Sequence, residues 1–185
     1  MADAIKKDAN IILIEKISEF KNTDLEDICD ATESTIIDNK GSFNIGLKRS
    51  EPPVRERLEQ YWKGVLLVPQ RELFVGRLDG TISSSIQLIK PGPNNQTSGF
   101  TCWVDQHFVA PWAREHGLAK SLLKAAEKEA KALGHTVMRL RVNATLESAV
   151  HLYESCGFIR WGTLDKFEII DGKMTAGHYY YKDIK

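Results

Sequence analysis

The sequence predicts one mixed α/β domain with the element order β-α-α-β-β-β-α-β-α-β-β. Three observations lead there. The apolar period switches repeatedly between helical and alternating along 185 residues, the length of one domain that buries its own core. Two Asp-Gly pairs, Asp79-Gly80 and Asp171-Gly172, sit between alternating runs, as in two-residue hairpins. One long amphipathic stretch, His116–Leu133, separates two strand-like runs and supplies a helical crossover behind antiparallel hairpins.

The elements follow in order. Residues 1–10 read as a flexible polar tail and 11–185 as a single domain. Ile11–Ile17 has the apolar density of a strand. Thr23-Asp24-Leu25-Glu26 has the form of a capping box, followed by Leu25, Ile28, Cys29, Thr32 and Ile36 at helical spacing. Asn39–Ser50 is a polar loop. A second helix is expected from near Ser50, with Pro52 and Pro53 in its first turn and a stripe of Val54, Leu58, Tyr61, Trp62 and Val65. Arg71 onward alternates through Leu73 and Val75, turns at Asp79-Gly80, and resumes with Ile82, Ser84, Ile86 and Leu88. Gly99–Val109 is a strand. Regular alternation puts Phe100, Cys102, Val104, Gln106 and Phe108 on one face, and Trp103, Asp105, His107 and Val109 on the other. In the long helix Leu118, Leu122, Ala126, Ala130 and Leu133 form the buried stripe, closed by Gly134. Thr136–Val142 is a strand, Leu146–Ser155 a short helix ending at Gly157, and Phe158–Ile170 and Thr175–Asp183 the closing hairpin.

Composition excludes several classes. Twenty-five Lys+Arg balance twenty-five Asp+Glu, which argues against duplex nucleic acid or an anionic membrane as partner. Apolar runs such as Val65–Pro69 are far short of a membrane span, and Met1–Asn10 has no signal-peptide core. Three scattered cysteines, Cys29, Cys102 and Cys156, make neither a disulfide framework nor a metal site. A reducing, cytoplasmic setting is expected.

Two runs carry chemistry. In Val109–Lys120 a strand ends, a short loop turns and a helix begins, so the first helical N–H groups are free for an anion and the helix dipole favours one. Gly117 lets a phosphate approach the backbone, Ala119 keeps the next corner small, and Arg114 and Lys120 add charge. The spacing is Arg-x-x-Gly-x-Ala, neither a dinucleotide fingerprint nor a nucleotide-triphosphate loop. Thirty residues on stands Ala149-Val150-His151-Leu152-Tyr153-Glu154-Ser155-Cys156-Gly157-Phe158.

Together these runs resemble the GNAT superfamily, the acetyl-CoA-dependent N-acetyltransferases. Its signatures are Arg/Gln-x-x-Gly-x-Gly/Ala and a later Ala-x-x-Leu-Tyr-x-x-x-Gly-Phe. Both stand here in order, and the resemblance covers roughly Ile11–Lys185. The last strands look most like the branch with tabtoxin-resistance-type acetyltransferases. The resemblance implies a GNAT-like domain with a mixed, mostly antiparallel central sheet flanked by helices, and acetyl-CoA as cofactor. Its pyrophosphate would lie on Arg114, Glu115, His116, Gly117, Leu118, Ala119 and Lys120. Phe108 and Val109 would meet the thioester end, with the Val109 N–H facing the carbonyl. Tyr153 would stand near the sulfur as general acid. Where many members have Asn three residues before the alanine of the second signature, this chain has Leu146, and Asn143 is the candidate for the pantetheine contact.

Acetyl transfer to an amine needs the amine deprotonated, the reactants held together, the oxyanion met by a donor and the thiolate stabilised. The base stays open between His107, Asp105 and water. Cys102 is expected to face away from His107, which speaks against a Cys–His nucleophile. The expected function is transfer of acetyl to a primary amine in a ternary complex, the acceptor a small molecule. The competing readings are a non-catalytic acetyl-CoA-binding regulatory module and a protein or peptide amine acetyltransferase. A homodimer is among the oligomeric states open to the chain.

Overall fold

A computed structural model of the chain describes residues 10–41, 43 and 54–185. The element order is the one the hydrophobic periods predict. It runs β1 (Ile12–Ile17), α1 (Asp24–Asp38), α2 (Arg55–Leu66), β2 (Arg71–Leu78), β3 (Thr81–Ile89), β4 (Thr101–Val109), α3 (Leu118–Ala132), β5 (Val137–Asn143), α4 (Glu147–Ser155), β6 (Ile159–Ile170) and β7 (Lys173–Asp183). The strands form one sheet in the order β1-β2-β3-β4-β5-β7-β6. Every neighbouring pair is antiparallel except β4–β5, the pair joined by the α3 crossover.

Two apolar cores sandwich the sheet. On one face α3 and α4 bury Leu122, Ala126 and Tyr153 against Phe74, Ile86, Cys102, Met138 and Leu140. On the other, α1 and α2 bury Ile28, Leu58 and Trp62 against Leu73, Val75, Ile82 and Phe108. The fully buried Trp62 donates its indole N–H to Thr32 Oγ1 at 3.0 Å, so its one polar atom costs nothing inside the core. Both Asp-Gly pairs take positive φ at both residues, as the twist of a tight hairpin requires.

Several expectations are corrected. Thr23 heads α1 without a side-chain capping bond; its hydroxyl goes instead to Asp27, so no capping box forms with Glu26. The first turn is anchored by Asp24, whose carboxylate accepts the Lys21 N–H and pairs with Arg77 at 2.7 Å. α2 begins at Arg55 after Val54; Pro52 and Pro53 lie outside the described residues, as does the tail up to residue 9. Asn10 is held by its amide to His116 Nε2 at 2.8 Å. α3 starts at Leu118 rather than His116 because Gly117, at φ +78, is its N-cap. Leu133, expected in the core, is exposed beyond the last helical turn, and Phe100 is exposed just before β4. Phe43, inside the expected polar loop, is buried against Tyr61, Trp62 and Phe108.

The largest correction concerns β4. Gln106 sits at φ +45, and the β3–β4 register slips between Ser85 and Gln87, so β4 carries a bulge there. An extra residue reverses the alternation beyond it. Asp105 and His107 therefore lie on opposite faces, and His107 turns to the α3–α4 side, the side of Cys102 and Val104. Phe108 turns to the α1–α2 side.

Candidate active site

β4 and β5 pair only over Thr101–Trp103 and Val137–Arg139. Beyond that β4 stays on β3 and β5 on β7, and the two strands diverge. The gap is a cleft of about 150 Å³ that reaches from one face of the sheet to the other. Ala110 N–H bonds back to Ser83 O at 2.8 Å; by the alternation of an antiparallel ladder the Val109 N–H then points away from β3, into the gap.

On the α3–α4 side the bulge delivers His107 to Tyr153. The Tyr153 hydroxyl lies 3.0 Å from His107 Nδ1, and His107 Nε2 lies 3.0 Å from the Ala119 carbonyl in the first turn of α3. A carbonyl only accepts, so Nε2 carries the proton and donates. Burial pushes the imidazole down to about 4, so at neutral pH the ring is uncharged and Nδ1 is an acceptor. The phenol consequently donates to Nδ1. Tyr153 is itself buried, and desolvation pushes its hydroxyl well above the ordinary range; it is a proton donor throughout the physiological span.

The opposite side is polar and carries charge. Asp105 lines the cleft there, with Arg71 Nη1 at 3.4 Å. Arg71 also bonds Gln87, whose amide donates to the Tyr61 hydroxyl at 3.0 Å. Arg141 of β5 and Glu168 and Phe167 of β6 complete the wall, with Phe43 behind. Phe167 lies flat on Gly177 of β7, where any Cβ would collide with its ring. The β6 register slips between Leu164 and Glu168, which turns these two side chains inward. Lys40 pairs with Asp171 at 2.7 Å and ties the hairpin tip to the end of α1. None of Arg141, Phe167, Glu168 or Phe43 is marked in the sequence by a motif, because bulges and a long hairpin bring them in.

The side-chain amide of Asn143, a candidate for a cofactor contact, is fully engaged within the chain. Its amide donates to Glu168 and Thr175 at 2.9 Å each, and its oxygen accepts the Thr145 N–H and hydroxyl. It braces the β5–β6 wall instead.

The loop before α3 is a single 3₁₀ turn, Pro111–Ala113, followed by Arg114, Glu115 at φ +68 and Gly117 at φ +78. The first bond into the helix is Ser121 N–H to Gly117 O, which leaves the N–H groups of Leu118, Ala119 and Lys120 without helical partners. Among the described residues a side chain at Gly117 would meet nothing within 4 Å, so none of them blocks the approach to these donors. His116 Nδ1 donates to Arg114 O at 2.7 Å and fixes the loop. Arg114 is docked on Asp38 at 2.7 Å. Lys120 lines a separate groove of about 500 Å³ between α3 and the end of α4, with Lys124, Lys128 and Cys156.

Cys102 shares a face with His107 after all, yet it is no nucleophile. Its thiol lies 3.7 Å from Val137 O, burial pushes it up to about 12, and both His107 ring nitrogens are engaged elsewhere. Among the described residues no cluster of His, Cys, Asp or Glu gathers to hold a metal, and no helix is long and apolar enough to cross a membrane.

Comparison with known proteins agrees with this architecture. The model of the acetyltransferase (GNAT) family matches residues 38–158. An uncharacterized N-acetyltransferase from the hisH-hisA intergenic region of Azospirillum brasilense is 47% identical over 134 residues, 72% of this chain and 77% of that protein. Among solved structures, an N-acetyltransferase from Staphylococcus aureus Mu50 superposes with a TM-score of 0.77 at 20% identity, over 95% of this chain and 99% of its own. The yncA protein of Salmonella typhimurium, solved with its cofactor acetyl-CoA, superposes with a TM-score of 0.71 at 13% identity, over 94% of each chain.

Proposed function

The chain belongs to the acetyltransferase (GNAT) family, and on that premise we propose that it moves the acetyl group of acetyl-CoA directly onto the amine of a small molecule within a ternary complex. The observation that carries the reading is the cleft between the diverging β4 and β5. Its described lining comes from both faces of the sheet, so a thioester from the α3–α4 side and an amine from the other can meet inside it.

The cofactor's pyrophosphate fits the Arg114–Lys120 segment, where three helical N–H groups and Arg114 are available. Arg114 would share or surrender its bond to Asp38 on binding. The pantetheine arm would then run along β4 past Val109, whose N–H is a ready donor for the oxyanion. When the amine attacks, a tetrahedral centre forms and the C–S bond breaks with the electron pair leaving on sulfur. Tyr153 supplies the proton to that thiolate. A water in the cleft takes the proton from the amine. Asp105, held by Arg71 on the acceptor side, attracts the ammonium form. Direct transfer is favoured over an acetyl-cysteine because neither Cys102 nor Cys29 has a thiolate to offer; burial pushes Cys29 up to about 11.

A cleft of this size favours a compact acceptor over a folded protein segment. Three unpaired cysteines suit a reducing cytoplasm. The exposed apolar side chains of the β6–β7 hairpin, among them Trp161, Ile169 and Met174, suit a homodimer, which light scattering would test. The acceptor reading is tested by thiol release from acetyl-CoA with a panel of small amines and short peptides. Release with small amines supports it; release only with peptides or intact proteins contradicts it.

A further inference from the structure

His107 invites the role of general base, since it lies beside Tyr153 in the cleft. Its hydrogen bonds forbid that role. Nε2–H is committed to the Ala119 carbonyl, and the one remaining lone pair, on Nδ1, already accepts the Tyr153 hydroxyl. A base must have a free lone pair within reach of the amine or of its water, and this ring has none.

We infer that His107 is a positioning residue: a neutral imidazole, locked in one tautomer by the first turn of the cofactor helix, that aims the Tyr153 hydroxyl.

The chain of causes runs through three elements. The bulge at Gln106 turns the imidazole toward α3 and α4 instead of toward the acceptor wall. Ala119 O, two residues into α3, then selects the Nε2–H tautomer, because the alternative would set two acceptors face to face. With the proton on Nε2, Nδ1 presents a lone pair along the ring edge, and among the described residues it is the acceptor to which the buried phenol donates. Phe158 and Tyr180 pack around the Tyr153 ring, with centroids at 5.8 and 6.4 Å, so the ring cannot swing away and only the O–H rotor is free. Among the described residues, Asp105 on the opposite face of β4 and the Cys156 thiol act electrostatically on Tyr153. Until the C–S bond breaks the proton stays on the tyrosine oxygen, hydrogen-bonded to Nδ1. A growing thiolate is the stronger acceptor and draws the rotor off it, and the phenol gives up its proton. Because Ala119 belongs to the turn whose N–H groups meet the cofactor's phosphates in the reading above, the lock also ties the acid's direction to the helix that binds the cofactor.

This inference rests on the acetyl-transfer reading for its kinetic consequence, but the lock itself is measurable without turnover. ¹⁵N NMR of the imidazole in the intact chain reports which ring nitrogen is protonated. The expected spectrum is a neutral ring with the proton on Nε2 and no titration between pH 5.5 and 8. A proton on Nδ1, or a titration near neutrality, overturns the lock whether or not the chain turns over. Kinetics with acetyl-CoA and the best amine then separate the two ring nitrogens. His107→Asn keeps an acceptor where Nδ1 stands; His107→Gln keeps a donor only where Nε2 stands. Turnover is expected within about 3-fold of the parent for Asn and roughly 10-fold lower for Gln and for His107→Phe, with KM for acetyl-CoA unchanged in all three. Asn as slow as Phe, or a loss confined to KM, contradicts a positioning role. Absence of thiol release from the parent chain with every amine, beside an intact Nε2–H spectrum, removes the acetyl-transfer reading and with it the kinetic role of the lock.

Discussion

Replacing Tyr153 with phenylalanine takes away one oxygen and leaves the ring. The ring keeps its contacts with Phe158 and Tyr180, so packing is preserved. What changes is His107 Nδ1, which loses the donor that stood 3.0 Å away. An acceptor left unpaired in a buried site costs about 1–3 kcal/mol. For a domain of this size each kcal/mol moves the thermal midpoint by roughly 2–4 °C, so Tyr153→Phe should melt several degrees lower while keeping a cooperative transition. In the proposed reaction the same oxygen is the acid. Its loss should lower turnover by roughly 10²-fold, about 2.7 kcal/mol on the barrier, because the interaction exists only once charge grows on sulfur. Acetyl-CoA affinity, assigned by the proposed site to the α3 turn and the strand edge, should stay within a few-fold by calorimetry. Thiol release measured across neutral and alkaline pH, with thermal melts of the same preparation, checks both halves. Full turnover in the phenylalanine variant would reduce Tyr153 to a packing residue, and an unchanged melting temperature would mean that Nδ1 never depended on it.

Three further outcomes follow from the same geometry. The folded chain holds His107 at about 4 against an ordinary value of 6.5, so between those limits the unfolded chain binds the extra proton. Stability from this residue is therefore complete above about pH 6.5 and is lost as pH falls toward 4, by up to about 3 kcal/mol, less because the ring borders an open cleft. Urea melts at pH 7 and 4.5 should show a smaller acid loss for His107→Asn than for the parent; equal losses contradict the buried neutral ring. Gly117→Glu places a carboxylate among the free N–H groups of α3 and strains a residue at φ +78, so CoA binding by calorimetry should vanish while the circular dichroism spectrum persists; an unchanged affinity removes the phosphate site. Cys102→Ala should retain activity wherever the fold survives, since that thiol is pushed up to about 12; acetyl label trapped on Cys102 in the parent would contradict direct transfer.

The fold was readable where the chain obeys its period. Leu118, Leu122, Ala126 and Ala130 repeat with the helix, Leu73 and Val75 with the strand, and two Asp-Gly pairs announce their hairpins, so the element order follows from side-chain burial alone. Tyr153 and the turn proposed to bind phosphate were readable because short-range spacing defines them. The face of His107 was not. It depends on one non-glycine residue, Gln106, at positive φ, and nothing in a glutamine between Asp105 and His107 signals a bulge. That single slip also decides which side Asp105 serves. The acceptor wall was illegible for a related reason. Asp105, Arg141, Glu168 and Phe43 come from four separate segments and meet only through sheet order and the β6 register slip. The Arg114–Asp38 and Asn143–Glu168 bonds likewise join residues 76 and 25 positions apart, distances at which local pattern carries no information.

Initial-rate kinetics with acetyl-CoA and a panel of small amines, read by thiol release and by mass of the acetylated product, test the central claim most directly. The account predicts one thiol released per acetylated amine and intersecting double-reciprocal lines, the pattern of two reactants meeting in one cleft. Parallel lines with an acetylated protein, or no thiol released from any amine by a chain that binds acetyl-CoA, would contradict it.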